Sequence, residues 1–491
     1  MGHLVGKSRK QVEFLCLEEL IEADSPARQI DEFVDGADTS YFEKAALKVM
    51  GRPSYNPKDM LKLYIHGMDN GIRSSRKLDR ECKVNVEAMW LMNGLQPDDK
   101  TICNFRKDNV ENIKRFFNEH CVTLARAGYI EGKIMGNDGV KIRANNSKKN
   151  NFSGKKLDER IKYIEEKIAG YLNEMDKNDK ADEVKEKEEK IEELKARKKK
   201  YETFKERIDS GEVTEVSTTD PDARIMRQGN GGSDVSYNTG VAVDGKNKLI
   251  AGFLVTNEAN DQGKLYDTIK PIKDRLGLEE IIVPADKGFY DTDDFKKCED
   301  AGIIPIVAKP EKEEEGTGLY KKGDFKYITG EDVFVCPAGQ KLKGSNPDEN
   351  GYKRYRNPKA CAHCPLRDKC TTGKRKDLGR HQYADYAERN DQRLKDNPEI
   401  YKLRQQLCEH PFGTMKRTMG IRQFLLREKP DVSAEVALIC LAYNLKRLRV
   451  IHKNGNRKDG AACVFACFAV ILLVFHLLAL LCSPHRKKLS A

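Results

Sequence analysis

Glu280-Ile-Ile-Val-Pro-Ala-Asp-Lys-Gly-Phe-Tyr290, a polar stretch from Asp291 to Ala301, and then Ile303-Ile-Pro-Ile-Val307 together decide the fold class. The two short apolar runs are bounded by turn residues and read as buried strands, and the segment between them reads as a helix. Strand, helix, strand in that order makes a parallel pair in an α/β sheet covered by helices. Working outward, Lys133-Ile-Met-Gly-Asn-Asp138, Asn238-Thr-Gly-Val-Ala-Val-Asp244 and Lys248-Leu-Ile-Ala-Gly-Phe-Leu-Val255 show the same pattern and add further strands. Asp138 ends one strand and is followed by Gly139; Asp286 ends another and is followed by Lys287-Gly288-Phe289-Tyr290. Strand ends in open α/β sheets are where ligands collect, so both acids are expected at one exposed edge.

The flanks read as helical. Residues 1–130 carry apolar positions at helical spacing, among them Met60, Leu61, Leu63, Tyr64, Ile65 and Ile113, Phe116, Phe117, Cys121, Leu124. Asn56 before Pro57, and Asp98-Asp99-Lys-Thr101 before Ile102, mark two helix starts, the second opening an amphipathic basic helix that contains Arg106. This unit is expected to bind DNA through a helix in the major groove, against the plainer expectation of a helical interaction domain. Residues 151–211 are rich in Lys and Glu, with Leu157, Ile161, Ile164, Ile168 and later Ile191, Leu194, Tyr201, Ile208 at heptad-like steps. A break at Lys177–Asp182 folds them into an antiparallel helical hairpin whose charges form a solvated face. The sheet is thus split between 131–150 and 212–330, followed by a cysteine-rich insertion at 331–380, helices over 381–453, where Leu394–Leu448 is read as helical with Pro411 and Pro430 marking starts or interruptions, and an apolar tail at 454–491.

The chain has 491 residues, 38% hydrophobic and 34% charged, too polar for one compact core. Its net charge of +11, with runs such as Lys198-Lys-Lys200 and Lys374-Arg-Lys376, suits a polyanionic partner, although a merely soluble basic protein would have the same charge. Fourteen cysteines without a secretory signal argue for a reducing, cytoplasmic setting. Ala461–Cys482 breaks the pattern, being apolar apart from His476 and flanked by basic residues. That length can span a bilayer, so membrane association is one expectation; a buried terminal helix, an oligomer contact, or a translated stretch beyond the natural fold are the others.

Two constellations carry chemistry. Asp138 and Asp286 at strand ends, with Glu409 in Cys408-Glu-His-Pro-Phe-Gly-Thr-Met-Lys-Arg417 on a helix, would supply hard oxygen ligands for Mg²⁺ or Mn²⁺. Two such ions about 4 Å apart activate a hydroxyl and stabilise a leaving oxygen. Each acid alone has a dull explanation as a turn or surface residue, and 78 acids offer many chance triplets. Cys336, Cys361, Cys364 and Cys370, among Pro and Gly turns, are a soft ligand set for a structural Zn²⁺ or else free thiols. The glycines after Thr219-Asp-Pro-Asp-Ala-Arg224 lack the Gly-Lys-Ser/Thr ending of a phosphate-binding loop, and no Ser/His/Asp or Cys/His nucleophile arrangement stands out. His410, beside Glu409, is read as a packing residue.

The words around these acids resemble the DDE transposases of bacterial insertion sequences, which have a ribonuclease-H-like core. The matching segments are Asn137-Asp-Gly-Val-Lys-Ile-Arg-Ala-Asn145, Thr219-Asp-Pro-Asp-Ala-Arg224, Tyr237-Asn-Thr-Gly-Val-Ala-Val-Asp244, Ala285-Asp-Lys-Gly-Phe-Tyr290, Cys408-Glu-His-Pro-Phe-Gly-Thr-Met-Lys416 and Leu441-Ala-Tyr-Asn-Leu-Lys-Arg447. The resemblance implies Asp138, Asp286 and Glu409 as a metal-binding catalytic triad, and DNA contacts from Lys416, Arg417, Arg404, Tyr401 and Lys287. It also implies DNA as substrate, a divalent metal, dimeric or higher assembly, and a nucleoid-associated location. A related group places three residues between its Arg and Glu, whereas four separate Arg404 from Glu409 here. Glu409 and Lys416, seven positions apart, should share a helix face. A DDE nuclease without strand transfer, and an inactive DNA-binding derivative, are the rival expectations.

Overall fold

The structure is a computed structural model that describes residues 16–42, 53–175, 181–229, 231–310 and 319–459. The apolar stretch at 461–482 lies outside these residues; among those described, no helix is long and apolar enough to cross a membrane.

The central sheet has six strands: β1 (Met135–Arg143), β2 (Arg224–Arg227), β3 (Ser233–Asp244), β4 (Ile250–Thr256), β5 (Ile281–Ala285) and β6 (Ile303–Val307). The order is β2-β3-β1-β5-β6, with β4 also paired to β3. Three antiparallel strands (β1, β3, β4), with the short β2 also antiparallel against β3, are therefore joined along β1 to two parallel ones (β5, β6). The apolar runs at 281–285 and 303–307 are strands as expected, and Thr292–Asp300 between them is a helix capped by Asp291, whose side chain accepts from Asp294 N. β1 keeps its β5 partner only as far as Asn137, opposite Ala285. From Asp138 onward its partner on the sheet is β3, apart from a bridge between Arg143 and Gln423 at its far end, which opens a notch in the sheet beside Asp286.

A buried asparagine closes each outer strand. Asn444 accepts from Ile250 N (2.8 Å) and donates to Ile250 O (2.9 Å) on β4; Asn390 does the same to Val307 on β6, at 2.9 and 2.8 Å. Each side-chain amide satisfies a backbone pair that a further strand would otherwise take.

The N-terminal helices start where the sequence marks them: Asn56 accepts from Lys58 N ahead of Pro57–Asp69, and Asp98 from Thr101 N ahead of Asp99–Asp108. Their apolar faces form one continuous core with the sheet and the C-terminal helix Lys429–Asp459. Charged groups reinforce that junction, including fully buried Glu435 with Arg73 (3.1 Å) and Asp69 with Lys446 (3.2 Å). Gly154–Met175 and Ala181–Asp209 run antiparallel, as the reversed order of the ion pairs Glu174–Lys187 and Glu165–Lys198 requires, and bury Leu157, Ile164 and Ile191.

The thiol-rich region has a regular frame that its sequence does not show, a five-stranded antiparallel sheet, β7 (Lys326–Ile328), β8 (Val333–Val335), β9 (Lys341–Gly344), β10 (Tyr352–Arg356) and β11 (Leu378–His381), with its own core of Phe325, Phe334, Leu342, Tyr355 and Leu378; the four cysteines lie outside its strands, in the turn after β8 and between β10 and β11. Leu394–Leu448 is helical with interruptions near the two prolines: Pro398–Gly413, which contains Pro411, passes into a π-helical turn, Thr414–Thr418, and the chain then runs irregularly until the last helix opens at Lys429, beside Pro430.

Candidate active site

The helix Pro398–Gly413 crosses β1 closely because residue 136 is a glycine. A Cβ there would sit 3.0 Å from Leu407 Cβ and 3.1 Å from Cys408 Sγ, so only a bare backbone lets Leu407 and Cys408 bury against the strand. Side chains two apart on a strand share a face, which puts Asp138 on the same side as this helix. Asp286 directly follows β5 as expected, but Asp138 does not end its strand: pairing with β3 carries β1 on to Arg143, so Asp138 lies within it. Arg404 lies one turn before Cys408 and reaches both acids: Nη1 is 3.6 Å from Asp138 Oδ2 and Nη2 is 3.6 Å from Asp286 Oδ1. Two carboxylates that are 148 positions apart in the chain thus face one guanidinium.

The electrostatics are those of an underneutralised pocket. Burial pushes the Asp138 carboxyl up to about 6; the Gly139 N–H, which donates to Asp138 Oδ1 at 2.8 Å, and Arg404 pull it down, while Asp286 and Asp261 push it up. Burial likewise raises the Cys408 thiol, with Asp138 adding to the effect. Tyr401 is raised by burial, and its ring lies 5.7 Å from the Arg404 guanidinium carbon.

Asp261 is a further acid here that the sequence did not single out. It sits between β4 and the helix Leu265–Leu276, and Asn238 Nδ2 donates to its Oδ1 at 2.7 Å. A Cβ on Gly139 would lie 2.6 Å from Asp261 Oδ1 and one on Gly288 3.6 Å from Oδ2, so Gly139 after Asp138 and Gly288 near Asp286 make room for this carboxylate. Burial raises it, Asn238 and Lys141 lower it, and Asp286 raises it further. Its only local cue is an acid in a polar loop; the close approach to residues 139 and 288 is made by folding.

Glu409 is placed differently. It is exposed one position beyond Cys408, and Gln405 Nε2 donates to its Oε1 at 2.9 Å. At about 100° per residue, Glu409 points to the flank of the face that carries Arg404 and Cys408. Among the described residues, no three His, Cys, Asp or Glu side chains gather as a metal-holding group. Lys416 and Arg417 are exposed but lie within the π-helical turn, so the simple two-turn alignment of Glu409 with Lys416 does not hold. Lys287 is exposed in the short turn after Asp286. Arg106 departs from the expected DNA contact: it is buried, with its guanidinium 5.5 Å from the Tyr64 ring. His410 packs as read, its Nδ1 2.9 Å from Tyr443 Oη, which donates to Lys248 O.

The four cysteines at 336, 361, 364 and 370 are half-buried beside the second sheet. Burial raises Cys370, and the other three thiols raise it further. They feel one another's charge, an effect that reaches further than a metal–ligand bond, without converging to ligand spacing.

Two family models match the chain. Residues 335–449 match a transposase DDE domain, and residues 15–108 match the transposase domain DUF772. Over these two segments the chain is similar to transposases, the longer match being to their DDE domain. The DDE match spans the cysteines, Arg404, Glu409 and Lys416, whereas Asp138 and Asp286 lie outside both matched segments. No curated protein and no solved structure matches the chain.

Proposed function

We propose that this chain binds the inverted-repeat ends of an insertion sequence and catalyses their cleavage and strand transfer with a divalent cation. The observation that carries the reading is the convergence of Asp138 and Asp286 on Arg404, a residue of the segment that matches a transposase DDE domain. A ribonuclease-H-like core is supported by the strand order, in which three antiparallel strands are followed by two parallel ones across β1.

The donor chemistry fits a hard cation: two carboxylates share a notch, one of them is held in a buried position that penalises its charge, and they face a single monovalent partner. Asp138 and Asp286 would hold Mg²⁺ or Mn²⁺, and Glu409, exposed on the flank of the helix face that carries Arg404, is the third carboxylate the reading assigns to the cation. The cation would supply Lewis-acid activation of a water or 3′-hydroxyl. The chain's own part is positioning: Gly136 and Gly139 let the helix and Asp261 close around Asp138, and Lys287, Lys416 and Arg417 offer exposed cations to the phosphate backbone. Zinc analysis of the purified chain decides the role of the four cysteines: one equivalent that Cys361→Ser loses would show that they close on Zn²⁺, and none would leave them as free thiols, as their spacing in the structure favours.

The test is incubation of the chain with DNA carrying the element's terminal repeats and Mg²⁺ or Mn²⁺. End-specific nicks and joined products are expected; nicks without joining would leave a nuclease. Glu409, set off the acid pair, favours one rival, an inactive DNA-binding derivative, and end binding without any cleavage would establish it.

A further inference from the structure

We infer that Arg404 is a built-in counter-ion of the acid pair: it holds Asp138 and Asp286 together while no divalent cation is present, and it gives way when one binds. The inference rests on the metal-dependent reading above.

The geometry is that of a charge held loosely between two opposite charges. Both N–O separations are 3.6 Å, beyond the 2.7–3.2 Å of an N–H···O hydrogen bond, so the guanidinium does not grip either carboxylate in the paired fork that makes Arg–carboxylate contacts strong. Its buried Nε has no partner, so a third donor is left unused. Without Arg404, two like charges would face one another across a notch where Asp138 is already penalised by burial and Asp261 adds a third negative charge.

The side chain can leave while its helix stays. Leu407 and Cys408 are buried against Gly136 and fix the backbone. Arg404 itself keeps a fifth of its side-chain surface open, with exposed Lys402, Leu403, Gln405 and Gln406 around it. A long cation on a fixed helix can swing from the acids to solvent or to a DNA phosphate without refolding. A divalent ion brings twice the charge to the same oxygens and has no backbone tether.

The test is direct Mn²⁺ binding to the full chain without DNA, followed by the electron paramagnetic resonance signal of free Mn²⁺. Arg404→Gln is expected to bind on the order of tenfold more tightly than the parent, since an opposing charge within 4–6 Å shifts ionic equilibria by one to three powers of ten. Arg404→Lys, which keeps the charge, should stay close to the parent. Without metal, Arg404→Gln should melt at a lower temperature, and Mn²⁺ should close the gap, which also shows that the variant folds. Equal or weaker Mn²⁺ binding by Arg404→Gln overturns the counter-ion role while leaving the site intact. Mn²⁺ binding that persists in Arg404→Gln combined with Asp138→Asn and Asp286→Asn places the cation elsewhere and overturns both readings.

Discussion

Asp332 on the second sheet and Asp138 on the central one have surroundings that move their carboxyls in opposite directions. On the second sheet, Asp332 accepts from Tyr327 Oη and Lys353 Nζ, both at 2.7 Å, and from Tyr355 Oη. Burial alone would raise its carboxyl, but these donors hold it down at about 2. On the central sheet, Asp138 has one backbone donor and a distant guanidinium, and burial keeps it up at about 6. A fully satisfied acid ties strands together, whereas an undersatisfied one costs stability and keeps ligand capacity in reserve. Folding alone gives no reason to keep the second kind.

The contrast can be broken at several points. Asp332→Ala removes three hydrogen bonds and places alanine at a φ of 50°, in the left-handed region. With solvent screening of this half-exposed group included, about 2–3 kcal/mol of stability should be lost, read by urea unfolding. Because the folded carboxyl lies below its ordinary value, its contribution is present at neutral pH and drains away as pH falls from about 4 to about 2.

Asp138→Asn should act the other way. The folded carboxyl lies above its ordinary value, so the parent holds the extra proton at low pH and loses stability as pH rises from about 4 through 6. The amide escapes that loss and should be about 2 kcal/mol more stable than the parent at pH 7, with no gain at pH 3.5. Unfolding at the two pH values reads both signs; a destabilised amide at pH 7 would mean that the carboxylate is structural. Gly136→Ala should cost about 1–2 kcal/mol by pushing Leu407 and Cys408 off β1. It should also widen the distance from Arg404 to the acids, measurable in a crystal of the variant.

Asp286 was legible because the apolar run Ile281–Ala285 stops abruptly at a charge, whereas Asp138 was misread as a strand end because β1 continues past it on its pairing with β3. Asp261 was not, because only long-range packing brings a polar loop against Gly139 and Gly288. The second sheet was hidden by its brevity: β9, Lys341-Leu-Lys-Gly344, buries Leu342 alone, so its apolar signal is one residue deep among lysines. Arg106 shows the reverse error, since a basic residue on an amphipathic helix reads as surface until Tyr64 packs beneath it. The π-helical turn at Thr414–Thr418 has no propensity signature, and it undid an alignment of Glu409 with Lys416 that assumed an unbroken α-helix.

The central claim is that Asp138 and Asp286 are the working acids of a transposase. It is tested most directly by cleavage and joining of DNA carrying the element's ends, with Mn²⁺, by the parent, Asp138→Asn and Asp286→Asn, each first shown to be folded. The account predicts end-specific cleavage and joined products from the parent and a loss on the order of a thousandfold or more in each variant. Cleavage at the parental rate by either folded variant would contradict it.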